Sequence, residues 1–270
     1  MLDRTEELPA YNYLARTIID SIERLAAALH RKRIYTPAAQ AADPVKVNLG
    51  SGLRVAPGWI NVDGSLKTLL AGKPDFVIGL AHNFLTDRSI AREQFREILS
   101  NNTFVHHDLK YGVPMPDSSV DFIYTSHTLH HLYRDQAQKL LNDCCRALKP
   151  GGVIRIAVPD LEYIFALYGK GERERALEFF FYSSTPRHSL SSRRYQYDFE
   201  MLRMMLQAAG YDNIRRCRFG VGRTPDLDRL DNRPDQTLFV EAEKPRQTAD
   251  EAAAGQARTD NGISGRNGQA

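Results

Sequence analysis

Long hydrophobic runs are absent from this chain of 270 residues, cysteine occurs at three positions and tryptophan at one. No stretch approaches the roughly 20 apolar residues of a membrane-spanning helix, so no membrane partner is expected. Cys144, Cys145 and Cys217 form an odd set with two members adjacent in a helix-forming stretch. That pattern argues against a disulfide framework or a zinc site and suits a reducing cytoplasm. Met1 to Pro9 carry acids in place of the basic-then-apolar order of an export leader, which gives the same cytoplasmic expectation. Neither sign of charge prevails, with 36 Lys and Arg against 33 Asp and Glu, so charge gives little support for a nucleic-acid partner. The basic stretches Arg193-Arg194 and Arg215 to Arg218 read as solvated faces.

A third glycine is missing as well. Val47-Asn48-Leu49-Gly50-Ser51-Gly52 puts two glycines after a short apolar run, and Trp59-Ile60-Asn61-Val62-Asp63 ends a second run on an acid. A dinucleotide site would add a glycine near Arg54 or Val55 and place its acid about twenty residues on, after a full helix. Asp63 follows Gly52 too closely for that, which disfavours a nicotinamide-dependent oxidoreductase. Two glycines without a Cβ and an acid offering acceptors to a ribose diol instead form a nucleoside-binding edge on two neighbouring parallel strands.

The middle of the chain alternates short apolar runs with helical patterns, as in a mostly parallel sheet wrapped by helices. Strands are predicted at Val45 to Leu49, Trp59 to Val62, Thr103 to His107, Val120 to Thr125 and Val153 to Ala157. Two more follow at Ile214 to Gly220 and Gln236 to Glu243, joined by a polar loop. Helices are predicted at Arg88 to Leu99, Arg134 to Leu148, Leu161 to Leu167, Arg173 to Phe181 and Asp198 to Ala209, with a turn at Gly151-Gly152. Ahead of them, Leu14, Ile18, Ile22, Leu25 and Leu29 make an apolar stripe on a helix over Asn12 to His30. That stripe is expected to cover a sheet face or the substrate side, with a homodimer contact as the alternative. The resulting organisation is a helix and small-residue linker over 1–44, a catalytic domain over 45–244 and a disordered tail over 245–270 that has no aromatic residue.

More motifs follow the glycine loop and Asp63 in order. They are His107-Asp108-Leu109, Met115-Pro116-Asp117-Ser118-Ser119-Val120-Asp121, Thr125 to Leu132, Leu148-Lys149-Pro150-Gly151-Gly152 and Ile156-Ala157-Val158-Pro159-Asp160. The ordered set resembles the class I methyltransferases that use S-adenosylmethionine, over Val45 to Lys244. The compact connection from Gly52 to Gly58-Trp59 is similar to a bacterial type 11-like subgroup associated with polysaccharide or small-molecule biosynthesis. The resemblance implies an α/β fold: a Rossmann-like, seven-stranded, mostly parallel sheet with an antiparallel last strand and helices on both faces. It implies that Asp63 takes the ribose hydroxyls, that Asp108 takes the adenine amino group, and that Gly50, Ser51 and Gly52 approach the methionine portion. Asn48, Leu109 and Ser126 complete the expected cofactor-binding set.

Methyl transfer to a hydroxyl demands positioning first and a proton acceptor second. His127, His130 and His188 are the candidate catalytic bases, histidine being suited to that role near neutral pH. His131 and Trp59 read as packing residues, and Tyr195 and Tyr197 as core residues beside a helix. His106 and His107 end a strand without the Cys or carboxylate partners of a zinc pattern, so no metal is expected. An amine-methylating nucleobase enzyme would carry Asn or Asp, two prolines and an aromatic where this chain has Thr125-Ser126-His127-Thr128. A cytosine C5 enzyme would need a Pro-Cys pair, and none occurs. The expected acceptor is therefore a small molecule, a sugar or secondary metabolite methylated on oxygen, and not nucleic acid. N- or C-methylation and a non-catalytic S-adenosylmethionine-binding protein stay open as alternatives.

Overall fold

The computed structural model describes residues 10–37, 43–85, 90–181 and 193–246. Its centre is a seven-stranded sheet of β1 (Lys46–Leu49), β2 (Trp59–Asp63), β3 (Thr103–His106), β4 (Val120–Ser126), β5 (Leu148–Pro159), β6 (Asp212–Cys217) and β7 (Thr237–Glu243). The spatial order is β3-β2-β1-β4-β5-β7-β6, and β7 alone runs antiparallel to its neighbours β5 and β6. The expected α/β class, mostly parallel sheet and reversed last strand are all present. Because β1 lies between β2 and β4, the strand order reverses there, and the crevice beyond the carboxyl ends of β1 and β4 is where such sheets bind ligands.

Strand alternation divides the sheet into an apolar face and a polar one. Val47, Leu49, Val62, Ile123, Ile154, Ile156 and Val240 pack with Leu140 and Leu141 of α4 (Arg134–Ala147) and Leu202 and Leu206 of α7 (Phe199–Ala208). On the opposite face, Asn61, Asn48, Tyr124, Arg155 and Glu241 stand in register across five strands, all buried. The helices α2 (Asp75–Leu85) and α3 (Arg92–Asn101) cover the β3 end of this face through Ile78, Phe95 and Leu99. The connection from β6 to β7 covers the rest, and it includes one short helix, Leu227–Leu230. Leu227 and Leu230 pack on Trp59, Tyr124 and Ala56.

The expected polar loop between β6 and β7 is thus a built layer. No helix lies between β1 and β2, and this connection covers the sheet beside the short loop that joins them. Arg155 ties it down with all five guanidinium N–H groups. It donates to Asp231 at 3.0 and 2.6 Å, to Glu241 at 3.4 Å and to the carbonyls of Arg218 and Val221 at 2.9 and 3.0 Å.

Three other expectations change. The helix expected to start at Arg88 starts at Arg92, and α2 ahead of it was not foreseen. Strand β5 begins at Leu148, so the Gly151-Gly152 turn is absorbed as an irregularity inside the strand. The N-terminal helix α1 (Ala10–His30) docks through Ala27, through Glu23 accepting from the Leu66 amide, and through His30 against His106. Its Ile22, Leu25 and Leu29 are exposed, so this part of the apolar stripe covers no sheet face, while the side chains of Leu14 and Ile18 lie outside the described ones. The 38–42 part of the linker, residues 247–270 of the tail and His188 lie outside the described residues. Beyond β5, α5 (Leu161–Gly169) and α6 (Arg173–Phe181) pack on each other through Ile164, Leu167, Ala176 and Phe179.

Candidate active site

The turn after β1 is held by the strands on either side of it. Gly50 has φ of 69° and donates its amide to the Val62 carbonyl at 2.8 Å. A Cβ at Gly50 would collide with the side chain of Thr128, which follows β4. Sequence reading missed Thr128; Ser126, two residues earlier, accepts from the Asn232 amide at 3.0 Å. Gly52, with φ of 52°, behaves differently: nothing stands within 4 Å of where its Cβ would lie. The first glycine is needed for packing, and the second leaves open space at the end of the sheet.

Asp63 closes this turn from the end of β2. Its Oδ2 accepts from the Gly52 amide at 2.9 Å and its Oδ1 from the Ser65 amide at 2.8 Å. A carboxylate offers about four acceptor positions, so two remain for a diol. Gly64, the next residue, lies against the end of β3: a Cβ there would sit in ordinary contact, 3.4 Å from the Asp108 Cα. Asp108 caps the single turn Leu109–Tyr111 by accepting from the Lys110 amide at 3.0 Å, and its other oxygen is 2.6 Å from the Lys110 ammonium. Leu109 is buried beside it. The two acids and the two-glycine turn therefore share one end of the sheet. Asn48 and Ser51 are nearly inaccessible, and the Asn48 amide donates to the Arg54 carbonyl and to Asn61.

His127 follows β4 with φ of 49°, its amide bonded to the Ala157 carbonyl at 2.8 Å. Its Nε2 lies 3.4 Å from the Thr237 hydroxyl, while Nδ1 has no partner. The His130 ring meets it edge-on at 5.9 Å, as expected from their three-residue spacing, and His130 is buried with its own Nδ1 unpartnered. Burial, then the charges of Arg233, His131 and Arg193, lower the His127 pKa to about 3. Burial and the neighbouring histidines push His130 well below the usual range too. Both rings are neutral at physiological pH.

Tyr197 is a buried core residue. His106 contacts His30 at 2.9 Å and the Gly64 carbonyl at 3.1 Å. Among the described residues no group of three His, Cys, Asp or Glu side chains is placed to hold a metal. The basic stretches are not simply solvated. Arg215 pairs with Glu241 at 3.0 Å, Arg216 pairs with Asp160 and Glu162 at 2.5 and 2.7 Å, and Arg193 is half-buried. The loop residues Asp231, Asn232 and Arg233 were also missed. Their one sequence signal was charge inside buried strands, Arg155 between Ile154 and Ile156 and Glu241 between Val240 and Ala242.

Residues 78–156 match the family described as a methyltransferase domain. The match covers 79 of the 270 residues and supports a methyltransferase domain over that segment. The glycine turn and Asp63 lie just ahead of it. A Mycolicibacterium smegmatis protein named probable S-adenosylmethionine-dependent methyltransferase is 39% identical over 57 residues, which are 20% of this chain and 21% of that protein. The chain thus matches about a fifth of that relative's length. Among solved structures, an S-adenosylmethionine-dependent methyltransferase of Thermotoga maritima aligns over 87% of this chain and 96% of its own, at 14% identity and a TM-score of 0.44. One from Archaeoglobus fulgidus aligns over 85% and 94%, at 14% identity and a TM-score of 0.41. With the strand order, the methyltransferase domain match supports a class I S-adenosylmethionine-dependent methyltransferase, a family whose cofactor is S-adenosylmethionine.

Proposed function

We propose that the protein methylates a small molecule on a hydroxyl, the acceptor being a sugar or secondary metabolite, from a catalytic unit spanning 45–244. The observation that carries the reading is the pairing of open space at Gly52 with two acids at the ends of β2 and β3, next to a neutral histidine after β4. Asp63 and Asp108 would hold the ribose and adenine of S-adenosylmethionine, and the Gly50 to Gly52 turn would admit its amino-acid portion. When bound, that cofactor supplies a methyl group on a sulfonium for in-line displacement.

The protein's own task is then to orient the acceptor and manage one proton. A neutral His127 always presents an acceptor nitrogen, so it can align a hydroxyl through a hydrogen bond. A histidine whose conjugate acid has a pKa of about 3 is a weak base, and that fits an acceptor whose proton leaves as the methyl arrives. The discriminating assay follows S-adenosylhomocysteine release against hydroxylated sugars, amines and carboxylates, with mass spectrometry of the product. Release on hydroxyl acceptors supports the proposal. Turnover confined to amines overturns the oxygen assignment, and donor binding with no product on any acceptor or extract overturns catalysis.

The same proposal includes a homodimer, since Ile22, Leu25 and Leu29 repeat at the spacing of a helix seam and are exposed. Sedimentation of wild type against Leu25→Glu checks it: a monomer in both samples removes the dimer.

A further inference from the structure

Of the five non-glycine residues with left-handed φ among the described residues, two face one cavity: His127 at 49° and Arg233 at 51°. Side chains with a Cβ disfavour this backbone, and it persists only where the surroundings impose it. Here the cause is visible. Buried Asp231 is fixed by Arg155, and Asn232 is tied to Ser126 at the end of β4, so Arg233 is carried over the site beside His127.

The cavity measures about 160 Å³, and it lies past Pro159 at the end of β5 with Phe179 of α6 in its wall. Whole metabolites occupy pockets of ~300 Å³ or more, so this space takes one group of a larger molecule. Three arginines line it, with Glu178 as the carboxylate among its lining residues. Arg175 is already paired with Glu172 at 2.8 Å. Arg193 stacks on the Phe179 ring at 5.5 Å and donates to the Glu178 carbonyl at 2.6 Å. Neither Arg193 nor Arg233 forms an ion pair with a described carboxylate. Burial and then the charge of Arg233 lower the Arg193 pKa, outweighing the Glu178 carboxylate that raises it, so the two guanidinium groups repel each other more than the nearby acid compensates. A planar guanidinium fork is matched to carboxylate and phosphate oxygens.

We propose that this cavity is an anion subsite, in which Arg193 and Arg233 hold a carboxylate or phosphate of the acceptor and so set its hydroxyl beside His127. The inference rests on the small-molecule methyltransferase reading and narrows its substrates to acidic ones.

The test uses the full chain with and without S-adenosylhomocysteine, titrated with glucuronate, glucose 6-phosphate and glucose. The His127 ring signal is read by NMR and assigned through His127→Gln. Glucuronate or glucose 6-phosphate should shift it saturably and glucose should not; a response to one anion alone names the group the subsite takes. Arg193→Gln and Arg233→Gln should each weaken that binding by roughly ten- to a hundredfold, the range for a charge-assisted hydrogen bond, while Arg233→Lys, which keeps the charge and loses the fork, should fall between wild type and Arg233→Gln. Equal responses to glucose, no saturable shift from either anion, or unchanged affinity in the Gln variants would overturn the subsite. Calorimetry of S-adenosylhomocysteine on the same samples reads the methyltransferase assignment separately. Loss of donor binding with intact anion binding sinks that assignment, and the reverse sinks the subsite alone.

Discussion

Arg155 and Asp231 form a two-pronged ion pair, at 3.0 and 2.6 Å, in which both side chains are fully buried. It joins the middle of β5 to the layer over the polar face of the sheet. Removing one partner strands a buried charge, which typically costs about 3–5 kcal/mol. Asp231→Ala should therefore lower unfolding free energy by about that amount in urea denaturation. The exposed neighbour change Asp228→Ala should stay within about 0.5 kcal/mol of wild type. Equal effects of the two would show that the buried pair does not hold the layer.

The two glycines of the first turn should separate folding from donor binding. Gly50→Ala introduces both left-handed strain, about 1–2 kcal/mol, and a collision with Thr128, so it should lose stability and recover part of it when combined with Thr128→Gly. Gly52→Ala meets no protein atom and should lose only the strain. Its new methyl group projects where the donor is expected, so its S-adenosylhomocysteine affinity should fall by more than its stability does. Thermal denaturation and calorimetry on the same variants decide between these outcomes.

Acid should weaken the fold before carboxylates begin to protonate. His106, His107, His127 and His130 all have native pKa values below the ordinary 6.5, with burial the largest cause in each. Below 6.5 the unfolded chain binds protons at these rings and the folded chain does not, so stability falls as pH falls. Each histidine contributes up to about 1.4 kcal/mol per pH unit until its native pKa is reached. Urea midpoints between about pH 6.5 and 5 should therefore decline, and the decline should be shallower in His130→Gln. A flat profile would mean these rings take up protons in the native state.

Much of the sheet was legible in the chain because each strand is short, apolar and bounded by turn residues. Trp59–Asp63 and Thr237–Glu243 fall within a residue of the predicted limits. Helix α2 was hidden because its apolar run contains Gly79, whose missing Cβ makes room for the Arg92 side chain. The exposed part of the α1 stripe departs from the expected cover of a sheet face, because periodicity shows that a face is apolar without showing what covers it. The glycine turn and its acid could be found from spacing alone. The approach of Arg233 to Arg193 could not, since the loop that carries Arg233 is placed by an ion pair between residues 76 positions apart.

Calorimetric binding of S-adenosylhomocysteine to wild type and Asp63→Ala tests the central assignment most directly. Asp63 already orders the Gly52 turn and has acceptor positions left for a ribose. Wild type should bind, and the variant should bind about ten- to a hundredfold more weakly while remaining folded. No binding by wild type, or equal affinity in the two proteins, would contradict it.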